Sequence, residues 1–225
     1  ISVSSSSTAY LGTPAPISGT ITGKNTTSGT VRFIMYGSRG EPGFQGVDIS
    51  SYQTINDPAL FFSSIDFAYF RAYGSDHEEN WAGAKGDGSF ENFVALAKQY
   101  NVPSGAYFFG TPRASDSIIS EAEQEAQLFI EKLEGAYPMG YGDLMPMLDI
   151  EEYKDLRTGI TGYPMASGMT ADQLIQWIFA FRDYFYNHTK RSIGLYVNRY
   201  FIEDQMGFTP AQLEELSAMP LWLAE

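Results

Sequence analysis

The 225-residue chain has no cysteine and only two histidines, His77 and His188. Without cysteine there is no disulfide, no thiolate metal site and no thiol redox chemistry, so stability rests on core packing. A Ser-His-Asp relay would have to use one of the two histidines. His188 ends a helix-like run, where a histidine ordinarily complements the helix dipole. His77 sits in Asp76-His77-Glu78-Glu79, which reads as a solvated charge run. Basic residues are also few: 14 Lys and Arg stand against 27 Asp and Glu, for a net charge of −13. That balance argues against nucleic acid or an anionic membrane as partner. No apolar run approaches about 18 residues, so no membrane-spanning helix is expected. The start, Ile1-Ser2-Val3-Ser4, has neither an initiator Met nor an apolar signal core, the pattern of a chain processed or cut from a longer one.

What is present is a core-rich composition, 44% hydrophobic and 15% aromatic, which suits a globular domain. Residues 1–45 differ from the rest. They are rich in Ser, Thr, Gly and Pro and hold no acid before Glu41. Thr20-Ile21-Thr22 and the run Thr30 to Tyr36 have β-type composition. Gly37, Gly40, Gly43 and Gly46 recur every third residue, too few triplets for a collagen helix. We read residues 1–45 as an extended or β-rich arm or linker, a tether to a larger, tail- or fibre-like protein.

From residue 46 to 225, strand-like and helix-like patterns alternate. Strands are expected at Val47–Ser50, Asp66–Ala72, Ser104–Phe109, Leu144–Glu151, Ile193–Val197 and Pro220–Ala224. Helices are expected over Ser89–Tyr100 and Ser117–Leu133, the second with Ser120 and Glu123 at capping-box spacing. Thr170 and Gln173 have the same spacing before a stripe of Leu174, Ile178, Phe181 and Phe185, and Thr209-Pro210 opens a last short helix. This alternation predicts an α/β fold on a parallel sheet, open or closed into a barrel, with its chemistry at the carboxyl ends of the strands.

One of those ends stands out. Leu144-Met145-Pro146-Met147-Leu148-Asp149-Ile150-Glu151 is an apolar run that stops in acids. On a strand Asp149 and Glu151 share a face, with Cα atoms roughly 6.5–7 Å apart, while Ile150 points the other way. Two neighbouring carboxyls resist joint ionisation, which is one way to keep a proton donor at neutral pH. Asp48 ends another apolar strand and brings a third acid to the same mouth. Three carboxylates could also hold Mg or Ca, but neither EF-hand nor paired Asp-x-Asp spacing is present, and no metal or other cofactor is expected. Aromatics gather near these strand ends: Tyr52, Tyr73, Tyr107, Phe108, Phe109, Tyr153 and Trp222. Aromatic faces suit the C–H surfaces of sugar rings, and Tyr107 and Trp222 lie on strands that should line the interior.

Six of these segments resemble, in order, the motifs of the Chalaropsis-type lysozymes, glycoside hydrolase family 25. Gly46-Val47-Asp48-Ile49-Ser50-Ser51-Tyr52-Gln53 resembles the opening motif G-[IV]-D-[IV]-S-x-[YWH]-Q. Phe67 to Ala72 is similar to F-x-x-x-R-A, and Gly105 to Phe109 to G-x-Y-H-F, with Phe108 in place of its histidine. Met147 to Glu151 matches L-D-[IV]-E, Leu195 to Asn198 resembles I-Y-T-N, and Leu221 to Ala224 resembles L-W-[IVL]-A. The family continues beyond that last strand with a W-Q pair and a late D-x-[ND], which are absent here. The resemblance therefore implies an irregular TIM-like (β/α) barrel lacking its last strands.

It also implies a function: a muramidase acting on bacterial peptidoglycan, at the β-1,4 bond between N-acetylmuramic acid and N-acetylglucosamine. Glu151 is implied as general acid and Asp149 as its partner, either a nucleophile or the stabiliser of an oxazolinium formed by the substrate's own acetamido group. Asp48 is implied to tune the pair and position substrate. From their places at strand ends and on the strands expected to line the interior, Arg71, Tyr107, Asn198 and Trp222 are expected to bind glycan. The expected setting is extracellular, at the cell wall or in a phage virion, as a phage lysin, a virion-associated wall hydrolase or a secreted bacterial enzyme. Two alternatives remain: a module that binds wall glycan without cutting it, and a chitinase-like enzyme of family 18. The second would need acids where Leu144 and Met147 stand.

Overall fold

The computed structural model describes residues 44–74, 85–138, 140–155 and 158–224. The expectations for residues 1–43, including the strands and glycine triplets of the arm, and for the run Asp76–Glu79 lie outside the described residues. Strand β1 (Gly46–Ile49) is followed by helix α1 (Pro58–Ser63), β2 (Phe67–Gly74), the short β3 (Lys85–Gly86), α2 (Phe90–Gln99), β4 (Ser104–Phe109) and α3 (Ile118–Ala136). Then come β5 (Met147–Asp149), a hairpin of β6 (Tyr153–Asp155) and β7 (Ile160–Tyr163), α4 (Ala171–Thr189) and β8 (Gly194–Asn198). A π-helical turn (Tyr200–Gln205), α5 (Pro210–Leu216) and β9 (Leu221–Ala224) complete it.

The expected α/β architecture is present. β1, β2, β4, β5, β8 and β9 pair in parallel in that order, and β3 adds antiparallel to β2. The sheet curls as part of a (β/α) barrel, with helices on its outer side. The register aligns the motifs across the sheet: Asp48 opposite Tyr69, Arg71 opposite Tyr107, Phe109 opposite Asp149, Asp149 opposite Tyr196 and Tyr196 opposite Trp222.

Alternation within each strand divides two environments. The outward residues Phe70, Phe108, Leu148, Ile150 and Leu195 are wholly buried against the helices. There they meet Phe129 of α3 and Phe181 and Trp177 of α4, with the Phe108 ring 5.5 Å from Phe129 and 5.2 Å from Phe181. Each such burial contributes about 2 kcal/mol relative to exposure. The inward residues are the acids and tyrosines. Gly105 is an inward residue that must stay small, because a Cβ there would lie 2.6 Å from the Tyr69 ring.

Several local expectations are met and several corrected. Thr170 and Gln173 form the expected capping box, and Thr209 and Gln212 form another before Pro210 at the start of α5. Ser120 does not cap α3. The helix begins at Ile118, and inside its first turn the Ser120 hydroxyl donates to the Ser117 carbonyl at 3.0 Å. The fourth strand is shorter than Leu144–Glu151, because Pro146 has no N–H to donate to a ladder. Ile150 N–H still donates to Tyr196 C=O at 2.9 Å, so the strand direction persists towards Glu151.

Candidate functional site

The carboxyl ends of β1, β5 and β8 bring Asp48, Asp149, Glu151 and Asn198 together. Asp149 is the innermost, 8% exposed, and its Oδ1 is buried with no hydrogen-bond partner among the described residues. Burial first, then the charges of Glu151 and Asp48, push its carboxyl well above the usual range, against the opposing pull of Arg71. Glu151 is half-buried and is also raised. Burial is the larger cause and Asp48 adds to it, while a hydrogen bond from Asn198 opposes both. Both carboxyls are therefore held above the usual carboxylate range, Asp149 chiefly by its deeper burial. Asp48 is solvent-exposed at the rim and acts on both through its charge.

Asn198 is oriented by the turn that follows β8. Its Oδ1 accepts the N–H of Phe201 at 2.7 Å, at the opening of the π-helical turn. The amide's NH2 is left to donate to Glu151. Tyr196 and Tyr107 line the same face. Burial and then the charges of Glu151, Asp149 and Asp48 push the Tyr196 hydroxyl up to about 12. Tyr107 is raised in the same way by burial first and then by Asp149. Both remain neutral hydrogen-bond donors. Trp222 stands between Tyr69 and Tyr196, with ring centroids 5.6 Å from each, and is partly open.

Arg71 is held more tightly than a substrate arm would be. It is 7% exposed, its Nε donates to Asp87 Oδ2 at 3.1 Å and its Nη2 to Ser51 Oγ at 3.3 Å. Its guanidinium lies 4.8 Å from the centre of the Tyr52 ring, which is 71% exposed. Asp87 was not foreseen. It also accepts the N–H groups of Ser51 and Ser89, both at 2.9 Å. Burial pushes Asp87 up, but these donors and Arg71 outweigh it and hold the carboxyl below its usual range. Ser50 and Gln53 of the opening motif lock the turn after β1, with Ser50 N–H donating to Gln53 Oε1 at 2.8 Å. The only sequence signal for Asp87 was a lone acid ahead of a helix, where capping is the ordinary expectation.

Three of the gathered aromatics are placed elsewhere. Phe108 faces the helix layer, so the departure from the histidine of the resembling motif removes nothing from the mouth. A β-bulge between Arg71 and Tyr73 turns Tyr73 outward, where it stacks on Phe108 at 5.7 Å. Tyr153 is buried, and its hydroxyl donates to the carbonyls of Thr111 and Pro112. Among the described residues, no group of three His, Cys, Asp or Glu side chains is placed to hold a metal ion.

The profile of the glycosyl hydrolases family 25 matches residues 47–225. Among solved structures, the spore cortex lytic enzyme SleM of Clostridium perfringens is similar at a TM-score of 0.64 and 28% identity, over 80% of this chain and 52% of that one. The chain thus spans about half the length of SleM. The modular autolysin LytC of Streptococcus pneumoniae is similar at a TM-score of 0.62 and 16% identity, over 81% of this chain and 37% of LytC. A family GH25 lysozyme of Aspergillus fumigatus follows at a TM-score of 0.57 and 21% identity, over 81% and 77% of the two chains. These last two likenesses show the fold alone. No curated protein sequence matches the chain. With the family profile covering the described sheet from Val47 to Ala224, the chain belongs to glycosyl hydrolases family 25.

Proposed function

We propose that the protein is a muramidase of bacterial peptidoglycan, cutting the β-1,4 bond between N-acetylmuramic acid and N-acetylglucosamine. The observation that carries this reading is the buried Asp149 with an unpartnered Oδ1, adjacent to a Glu151 whose acidity is also lowered. Glu151 is the general acid. It is the more accessible of the two and would protonate the leaving oxygen. Asp149 is its partner. An acetamido N–H delivered to Oδ1 would favour the anion at Asp149 and leave the proton for the leaving group on Glu151. Departure of the leaving group would be assisted either by the acetamido oxygen, giving an oxazolinium held by Asp149, or by Asp149 as nucleophile. An i, i+2 pair on one strand is compatible with both.

Asp48 would orient the substrate and maintain the negative field at the rim. Tyr107, Trp222 and Asn198 would contact glycan, Asn198 while also donating to Glu151. Arg71 would act from beneath, as a charge near Asp149 and as the support of the exposed Tyr52 ring. Residues 1–45 form an arm or linker to a larger assembly in this reading, and residues 46–225 the catalytic domain. The site of action would be the cell wall, reached from outside the cell or from a phage particle. Release of reducing sugar ends from purified peptidoglycan, abolished in Glu151→Gln, is the expected result. Co-sedimentation with walls without release of ends would instead identify a glycan-binding module.

A further inference from the structure

A second buried acid lies outside the mouth. Glu125 sits in the middle of α3, on the face turned to the sheet, and is 4% exposed. A backbone hydrogen bond from Thr111 reaches its carboxyl, and its Oε2 is buried with no partner among the described residues. Thr111 belongs to the loop that leaves β4, and this loop grips the acid-bearing segment at three places. Gly110 N–H donates to Asp149 C=O at 2.9 Å. Gly110 also packs so closely on Ile150 that a Cβ there would lie 2.6 Å from Ile150 Cδ1. Tyr153, two residues past Glu151, donates its hydroxyl to Thr111 C=O at 3.0 Å and to Pro112 C=O at 2.8 Å. The loop therefore holds residues 149, 150 and 153 and brackets Glu151 between them.

We propose that Glu125 is a positioning residue which fixes the Gly110–Pro112 loop and through it the relative placement of Asp149 and Glu151. The inference rests on the reading of those two residues as the reacting pair. The groups facing Glu125 are Arg113 from the loop, Tyr153 from β6 and Glu121 one turn back on α3. Arg113 favours the anion, but burial is the larger influence and Glu121 reinforces it, so the carboxyl is held well above its usual range. Thr111 Oγ1 and Trp177 Nε1 are also buried without partners. A charge at Glu125 would add an unsolvated anion to a layer that already has polar atoms unsatisfied.

Two variants of the whole protein test this. Glu125→Gln keeps an acceptor for the Thr111 N–H and has no charge to lose. It is expected to keep kcat and KM within about twofold, as a substitution that preserves the hydrogen bond should. Glu125→Leu keeps the bulk and removes the acceptor. It is expected to stay folded by circular dichroism, lose kcat about tenfold with KM little changed, and shift the pH–rate profile that reports the Asp149–Glu151 pair. Its Thr111 amide should also exchange hydrogen faster than in the unaltered protein. A folded Glu125→Leu with unaltered kcat, pH profile and Thr111 exchange would overturn the proposal. So would a Glu125→Gln that loses activity as Glu125→Leu does, since that would show the charge to be needed. Should Glu125→Leu not fold, Glu125→Gln decides alone. Wild-type activity together with a shallower fall in stability as pH rises above the unfolded carboxyl value supports the proposal, and a fall as steep as in the unaltered protein, where Asp149 contributes equally to both, overturns it. The exchange and stability readouts need no substrate, so they stand apart from any failure of the muramidase reading itself.

Discussion

Asp87 and Asp149 are both buried carboxylates influenced by Arg71, yet their acidities move in opposite directions. Asp87 receives two backbone N–H groups and the guanidinium itself, so its charge is solvated by the protein. Asp149 has an oxygen with no donor and two other acids nearby, so its charge is not. The first arrangement makes a fixed ion pair that stiffens the mouth. The second makes a group that holds its proton more tightly than an ordinary carboxyl and can be changed by an arriving ligand. Burial alone decides neither outcome; the count of donors does.

The comparison can be broken at either end. The largest effect is expected at the mouth. On the proposed reading of Glu151 as general acid, Glu151→Gln should lower kcat on peptidoglycan by about 10³-fold, with the fold unchanged by circular dichroism. At the ion pair, Asp87→Ala should destabilise by about 3 kcal/mol, because the buried Arg71 charge loses its carboxylate. A lower urea midpoint would show it. A midpoint equal to that of the unaltered protein would mean that the pair contributes nothing.

The two acids also predict opposite pH slopes. Asp87 is depressed in the folded state, so its contribution is present above the unfolded value of about 3.9 and is lost as pH falls through the lower folded value. Asp149 is raised, so its effect runs the other way. Stability is retained below the unfolded value and declines as pH climbs towards the raised one, since only the unfolded chain then gives up the proton. Asp149→Asn should accordingly be more stable than the unaltered protein at pH 7 while nearly inactive, and urea titrations at pH 5 and 7 would reveal it. Asn198→Ala removes the donor that opposes burial at Glu151, so the alkaline limb of the pH–rate profile should move upward. The smallest effect is expected far from the site. Thr170→Ala should cost about 1 kcal/mol through loss of the α4 cap, with kcat unchanged.

Much of the site was legible because it rests on local periodicity. Asp149 and Glu151 share a face by the twofold repeat of a strand, and Ile150 enters the helix layer for the same reason. The parallel sheet followed from strands separated by amphipathic helices, and the capping box at Thr170 from a three-residue spacing. The misread features are those in which a residue's surroundings come from distant segments. Phe108 and Tyr73 were grouped with the mouth by nearness in sequence, whereas strand parity and a bulge send both outward. Ser120 had cap spacing, but the helix began two residues earlier, and no pattern of residue types fixes that boundary.

The sequence by itself determined the α/β alternation, the order of the parallel strands' motifs and the identity of the acids at their ends, because each depends on repeats of two, three or four residues. Only the tertiary structure decided what state those acids take. The donors around Asp87 come from positions 51, 71 and 89, and those that Asp149 lacks are equally a matter of what the sheet places beside it. A carboxyl's charge is set by the summed field and hydrogen bonds of neighbours that folding alone brings within reach.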